Sequence, residues 1–127
     1  MDCKTDTKEK FHVITLNEGQ MSGAMTDELS GMLQTYLEKQ PKNIVLSVPG
    51  LKEIDLPFAE KLAVLQQKFY ENNASFVICD LQKPVEDFLD KNDLLEIMNV
   101  TPTISEAGDI VQMEEMEREM FDDEESS

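Results

Sequence analysis

One histidine and two cysteines are the whole stock of imidazole and thiol groups in these 127 residues, and tryptophan is absent. A tetrahedral zinc site needs three or four such ligands close together, whereas Cys3, His12 and Cys79 are scattered. A Ser–His–acid triad would have to use His12, which lies inside a β-branched run and reads as a core or surface filler. No Gly-rich phosphate loop and no His-Glu-x-x-His motif occurs. The cysteines form no Cys-x-x-Cys pair, so they read as a thiol near the chain end and a core residue of a reduced, cytoplasmic protein. No run of about 18 apolar residues is present, so no membrane span is expected. The opening "MDCKTDTKEKF" carries charges where a signal peptide needs an apolar segment, and export is not expected.

Bases are scarce too. Lys and Arg number 11 against 27 acids, a net charge of −16. Nucleic acids and anionic membranes both require clustered bases, so neither is an expected partner. The imbalance concentrates in residues 114–125, "EEMEREMFDDEE", with eight acids and one Arg. That end is read first as solubilising and second as a docking segment for a basic partner.

What remains reads as one α/β domain, long enough to bury roughly two-thirds of its unfolded surface. "CKTDT" and "FHVITL" read as paired strands across "KEK". In "GAMTDELSGMLQTYLEKQP", Met25, Leu29, Met32, Leu33 and Tyr36 share one helical face, with Ser22 or Thr26 as cap and Pro41 as stop. "NIVLSV" is a short apolar run, as a strand buried on both faces would be. Phe58, Leu62, Leu65 and Phe69 then give the core face of a second helix, which "ENNA" breaks. "SFVICDL" reads as another buried strand. Pro84 opens a short third helix with Val85, Phe88 and Leu89 inward. "LLEIMNV" reads as an edge strand, and Ser105 as the N-cap of a last helix. On that helix Met113, Met116, Met120 and Phe121 form an apolar stripe, expected to pack back on the domain and otherwise to suit an adaptable partner surface. The order implies a mixed sheet of four to five strands with about four helices packed on it.

Asp55 and Asp80 fall near the ends of core strands, where α/β sheets place ligands. The primary reading makes Asp55 the N-terminal stabiliser of the second helix and Asp80 a strand end. The other is a weak magnesium site, or a small nucleotide- or Mg-dependent enzyme using both carboxylates. No phosphate cradle accompanies them, and no cofactor, metal or catalytic residue is assigned.

Taken as a frame, "NIVLSVPGLKEIDLPFAEKL" resembles the central block of the STAS domain, the fold of bacterial anti-sigma-factor antagonists. Gly50, Leu51, Ile54, Asp55 and Leu62 match the apolar-strand, turn and "DSxG" helix-start frame without a gap. "EGQM" resembles the family's Gly-x-Leu-Asp through Gly19 and Met21, and "ASFVICDL" and "SEAGDIV" resemble its fourth core strand and final helix. The resemblance spans residues 1–112 and leaves 113–127 as the end of the last helix and an acidic tail.

In partner-switching members, the "DSxG" hydroxyl is phosphorylated by an anti-sigma kinase. Here Leu56 and Pro57 occupy the two hydroxyl positions and Phe58 the glycine, while Ser22 and Ser47 replace two further family Asp residues. From Val48 to Ala74 there is no Ser or Thr, and only Tyr70 has a hydroxyl. The resemblance implies a non-catalytic transcription-regulatory interaction module with a non-phosphorylatable loop. Its expected contact residues are Glu53, Asp55, Leu56, Pro57, Phe58 and Glu60, with Ser22 and Gly23 on a second loop. Phe58, in phase with Leu62 and Leu65, also fits as core filler. The implied partner is an anti-sigma kinase-like ATPase. The alternative is a role as the STAS subunit of a phospholipid-transport ABC complex, contacting that complex's ATPase.

Overall fold

The computed structural model describes residues 1–126, with side chains described through residue 120. Seven strands and four α-helices follow one another: β1 (Cys3–Thr7), β2 (His12–Leu16), β3 (Gln20–Met21), α1 (Thr26–Gln34), β4 (Ile44–Ser47), β5 (Glu53–Ile54), α2 (Leu56–Glu71), β6 (Phe76–Cys79), α3 (Lys83–Lys91), β7 (Val100–Thr101) and α4 (Ile104–Ser126). Five strands form one sheet in the order β1-β2-β4-β6-β7. β1 pairs antiparallel with β2, and every later pairing in that sheet is parallel. β3 and β5 pair separately as a short parallel ribbon.

The register explains the two-sided core. Val13, Val45 and Val77 lie side by side across β2, β4 and β6, and so do Ile14, Leu46 and Ile78. Neighbouring residues of a strand point to opposite faces. The Ile14 row meets Leu29, Leu33, Phe58, Leu62, Leu65, Phe69, Val85 and Leu89 from α1, α2 and α3. The Val13 row, with Cys79, meets Ala107 and Val111 of α4, and Phe11 and Ile110 pack at its margin. Continuous apolar strands are therefore required, because each faces a helical layer on both sides. His12 is a satisfied internal residue: its Nδ1 lies 2.9 Å from the Thr7 hydroxyl and its Nε2 2.9 Å from the Pro41 carbonyl.

Several sequence expectations need correction. The first helix is split, with 3-10 turns at Gly23–Met25 and Thr35–Glu38 flanking α1, and neither Ser22 nor Thr26 caps it through its side chain. The Thr26 hydroxyl instead donates back to the Ser22 carbonyl. "LLEIMNV" is a turn rather than a strand: the Leu94 and Leu95 N–H groups donate to the Leu89 carbonyl, and only Val100 and Thr101 pair with β6. Thr103, not Ser105, caps α4, its hydroxyl accepting from the Glu106 N–H at 3.1 Å.

The Met stripe does not pack back on the domain either. Met113, Met116 and Met120 are 55%, 63% and 63% exposed. Phe121 lies outside the described side chains. Among the described residues no helix is long and apolar enough to cross a membrane.

Candidate functional site

The β3–β5 ribbon brings together two loops that lie about thirty residues apart in sequence. Met21 pairs with Ile54, and both are buried. The Gly19 carbonyl accepts from the Lys52 and Glu53 N–H groups. Directly after the ribbon, the chain turns into helix on each side, and Asp55 sits at that junction. Its backbone is extended, with φ −105° and ψ 171°, while the next residue opens α2. One carboxylate oxygen accepts from the Phe58 N–H at 3.0 Å and so caps α2. The other accepts from the Gly23 N–H at 2.9 Å. A helix start leaves N–H groups without intrahelical partners, and an acidic cap is also favoured by the helix dipole.

The fit at this junction is steric as well. A Cβ added at Gly23 would lie 2.9 Å from the Pro57 Cβ, closer than ordinary contact. Glycine therefore lets the first loop lie against the proline ring of the second. Pro57, early in the first turn of α2, needs no N–H partner there and has φ set for a helix. Leu56, Pro57, Glu53 and Glu60 are exposed, Asp55, Ser22 and Gly23 partly so. Leu56 retains 39% of its surface. Phe58 does not belong to this surface: at 1% exposure it fills the core with Leu62 and Leu65. The helical phase carried that outcome, since Phe58 starts the buried series of α2.

Asp80 is engaged elsewhere. Its backbone is left-handed, φ 61°, where Asp is tolerated better than most residues. Its carboxylate accepts from the Ser47 hydroxyl at 2.6 Å and closes the ends of β4 and β6 against one another. Asp55 and Asp80 share no hydrogen-bond partner. Among the described residues no group of three or more His, Cys, Asp or Glu is placed to hold a metal ion. Sequence reasoning found both loops but missed that one carboxylate joins them. β3 and β5 span two residues each, below the length at which alternation is visible.

The STAS domain family model matches residues 4–107. The chain belongs to the STAS family. A search among curated proteins finds no match. Of solved structures, a Thermotoga maritima protein provisionally assigned as an anti-sigma factor antagonist superposes with a TM-score of 0.72 at 18% identity, covering 87% of this chain and 94% of that one. An anti-sigma-factor antagonist (STAS) domain protein from Planctomyces limnophilus gives 0.71 at 15% identity, with 84% and 95% covered. Murine Slc26a9, an anion transporter, gives 0.69 at 14% identity, with 85% of this STAS chain matching 18% of the transporter. At these identities the shared property is the STAS fold.

Proposed function

We propose that this STAS domain is a non-catalytic, cytoplasmic interaction module of the anti-sigma-factor-antagonist type, with a permanently set contact surface in place of a phosphoswitch. The observation that carries the reading is the pair of hydrogen bonds that the Asp55 carboxylate accepts from the Gly23 and Phe58 N–H groups. It ties the loop of Ser22 and Gly23 to the start of α2, where Leu56, Pro57 and Glu60 lie, with Glu53 just before it. A phosphate adds up to about two negative charges and three acceptor oxygens. Positions 56–58 have no side-chain oxygen to accept it. Leu56 is the apolar anchor, and Glu53 and Glu60 orient a partner of opposite charge. The partner is a kinase-like ATPase, bound whether or not ATP is being spent.

The test immobilises the full chain and a Leu56→Ser/Pro57→Ser variant, exposes both to lysate of the source organism, and identifies retained proteins by mass spectrometry. The wild type should retain a kinase-like ATPase that the variant loses. With Mg-ATP added to the wild type and the retained ATPase, the complex should persist and the wild type should gain no phosphate. Equal retention by both chains, or release of the ATPase from the wild type on adding Mg-ATP, would sink the proposal. Retention of a transporter ATPase instead would move the module to the ABC-complex role.

A further inference from the structure

The outer face of α4 is held outward by contacts on its inner face. Along the first turns, Ala107 and Val111 are buried against the Val13, Val45 and Val77 row. Gly108 lies so close to Phe11 that a Cβ there would meet the ring at 3.0 Å. Two turns on, packing gives way to a polar latch at the start of β4 and β6. The Asn43 amide donates to the Glu115 carboxylate at 2.8 Å and accepts from the Ser75 N–H at 2.8 Å. Arg118 donates to the Ser75 hydroxyl at 3.2 Å and to the Asn43 side-chain oxygen Oδ1 at 3.3 Å. Such directional bonds fix which way a helix is rotated, which apolar packing alone does less strictly.

With that rotation set, Met113, Met116 and Met120 project opposite the sheet. Their i, i+3, i+7 spacing is that of one seam of a two-helix pairing. Asp109, Glu117 and Glu119 are exposed around them. Arg118 is the only base in α4, and the latch turns it inward. The outer face is thus an apolar seam in an acidic field that no base of its own helix neutralises. A second copy of this chain would set like charges against each other along the seam. A cationic amphipathic helix would place apolar side chains on the methionines and Lys or Arg against the acids. We propose that the outer face of α4 is a second docking surface of this protein, and that it takes a basic amphipathic helix of a partner protein. Methionine side chains, flexible and polarizable, adjust to varied apolar partners.

The test uses the full chain labelled with 13C at the methionine methyls. The probe is a synthetic helical peptide with Leu at a and d positions and Lys elsewhere. A control peptide has each Leu replaced by Ser at the same charge. The Met113, Met116 and Met120 signals should shift with the Leu/Lys peptide, while those of buried Met21 and Met98 stay in place. A Met113→Ser/Met116→Ser/Met120→Ser variant should bind about tenfold more weakly, since three apolar contacts are lost. The Ser/Lys control should bind no better than the variant does. Two results would overturn the inference. One is equal binding of both peptides to both chains, which would reduce the effect to charge alone. The other is concentration-dependent movement of the three methyl signals without peptide, which would make the seam a contact between copies. The methyl shifts are read on the unaltered protein, so the outcome does not depend on how the triple variant folds.

Discussion

Asp55 accepts one N–H from its own helix and one from a loop 32 positions earlier. Removing the carboxylate leaves both part-buried N–H groups without that partner, at a cost of roughly 1–1.5 kcal/mol each. Asp55→Ala should therefore lower the unfolding free energy by about 2–3 kcal/mol. Asp55→Asn keeps one amide oxygen as acceptor and should lose less. Urea denaturation of the three proteins measures the difference, and a loss below about half a kcal/mol for the alanine variant would mean that the ribbon alone holds the loops. At Gly23 the limit is space: Gly23→Ala must push the loop off Pro57, whereas Gly19→Ala meets nothing within 4 Å. Cys79 carries a separate dependence on pH. Burial, then the charge of Asp80, pushes its thiol from an ordinary 9.0 up to about 12. Above pH 9 the unfolded chain loses this proton while the folded chain keeps it. The contribution is thus whole below about pH 9 and declines as pH rises toward 12, by up to about 1.4 kcal/mol per pH unit. Denaturation of Cys79→Ala beside the wild type from pH 8 to 11 should show a shallower alkaline decline in the variant.

Among the elements, the four-residue core strands β4 and β6 and the helix α2 were legible in the sequence for a physical reason. A strand buried on both faces must be apolar throughout, and a helix on one such face must repeat its apolar residues at helical spacing. The failures share a reason as well. Leu94 and Met98 are apolar because they pack into the main core, not because they pair in a sheet, and a short apolar run does not distinguish the two. The Met stripe of α4 has perfect helical spacing and still faces water, because Ala107 and Val111 already fill the contact with the sheet. At the site, Asp55 as a helix cap was legible from Asp before Leu-Pro; its reach to Gly23 was not, since no sequence pattern encodes the β3–β5 pairing. The start of α4 gives the element-level prediction. Thr103 accepts the Glu106 N–H, and Ser105 already lies inside the helix. Thr103→Ala should cost about 1 kcal/mol, and Ser105→Ala close to nothing. Comparable losses from both would return the cap to Ser105.

For the molecule as a whole, charge is the dominant fact. A net −16 on a domain of this size opposes compaction by self-repulsion. Among the described residues ion pairs relieve little of it: the N-terminal ammonium with Glu28, Lys8–Asp6, Lys10–Glu115 and Lys83–Asp87 each include at least one well-exposed side chain, and pairs of that kind are worth about 0–1 kcal/mol. Added salt should therefore stabilise this protein, because screening weakens the repulsion more than it weakens so few pairs. The Debye length falls from about 30 Å at 0.01 M to about 3 Å at 1 M, shorter than the fold's own dimensions. The melting temperature should rise between those two NaCl concentrations, by several degrees. Residues 121–127 hold four carboxylates and no base, so a chain ending at residue 120 should melt higher at low salt and respond less to added NaCl. Calorimetry of both lengths across that range decides it. Identical salt responses would place the repulsion within the STAS fold itself, whereas a melting temperature that falls with salt would mean that the few ion pairs outweigh the net charge.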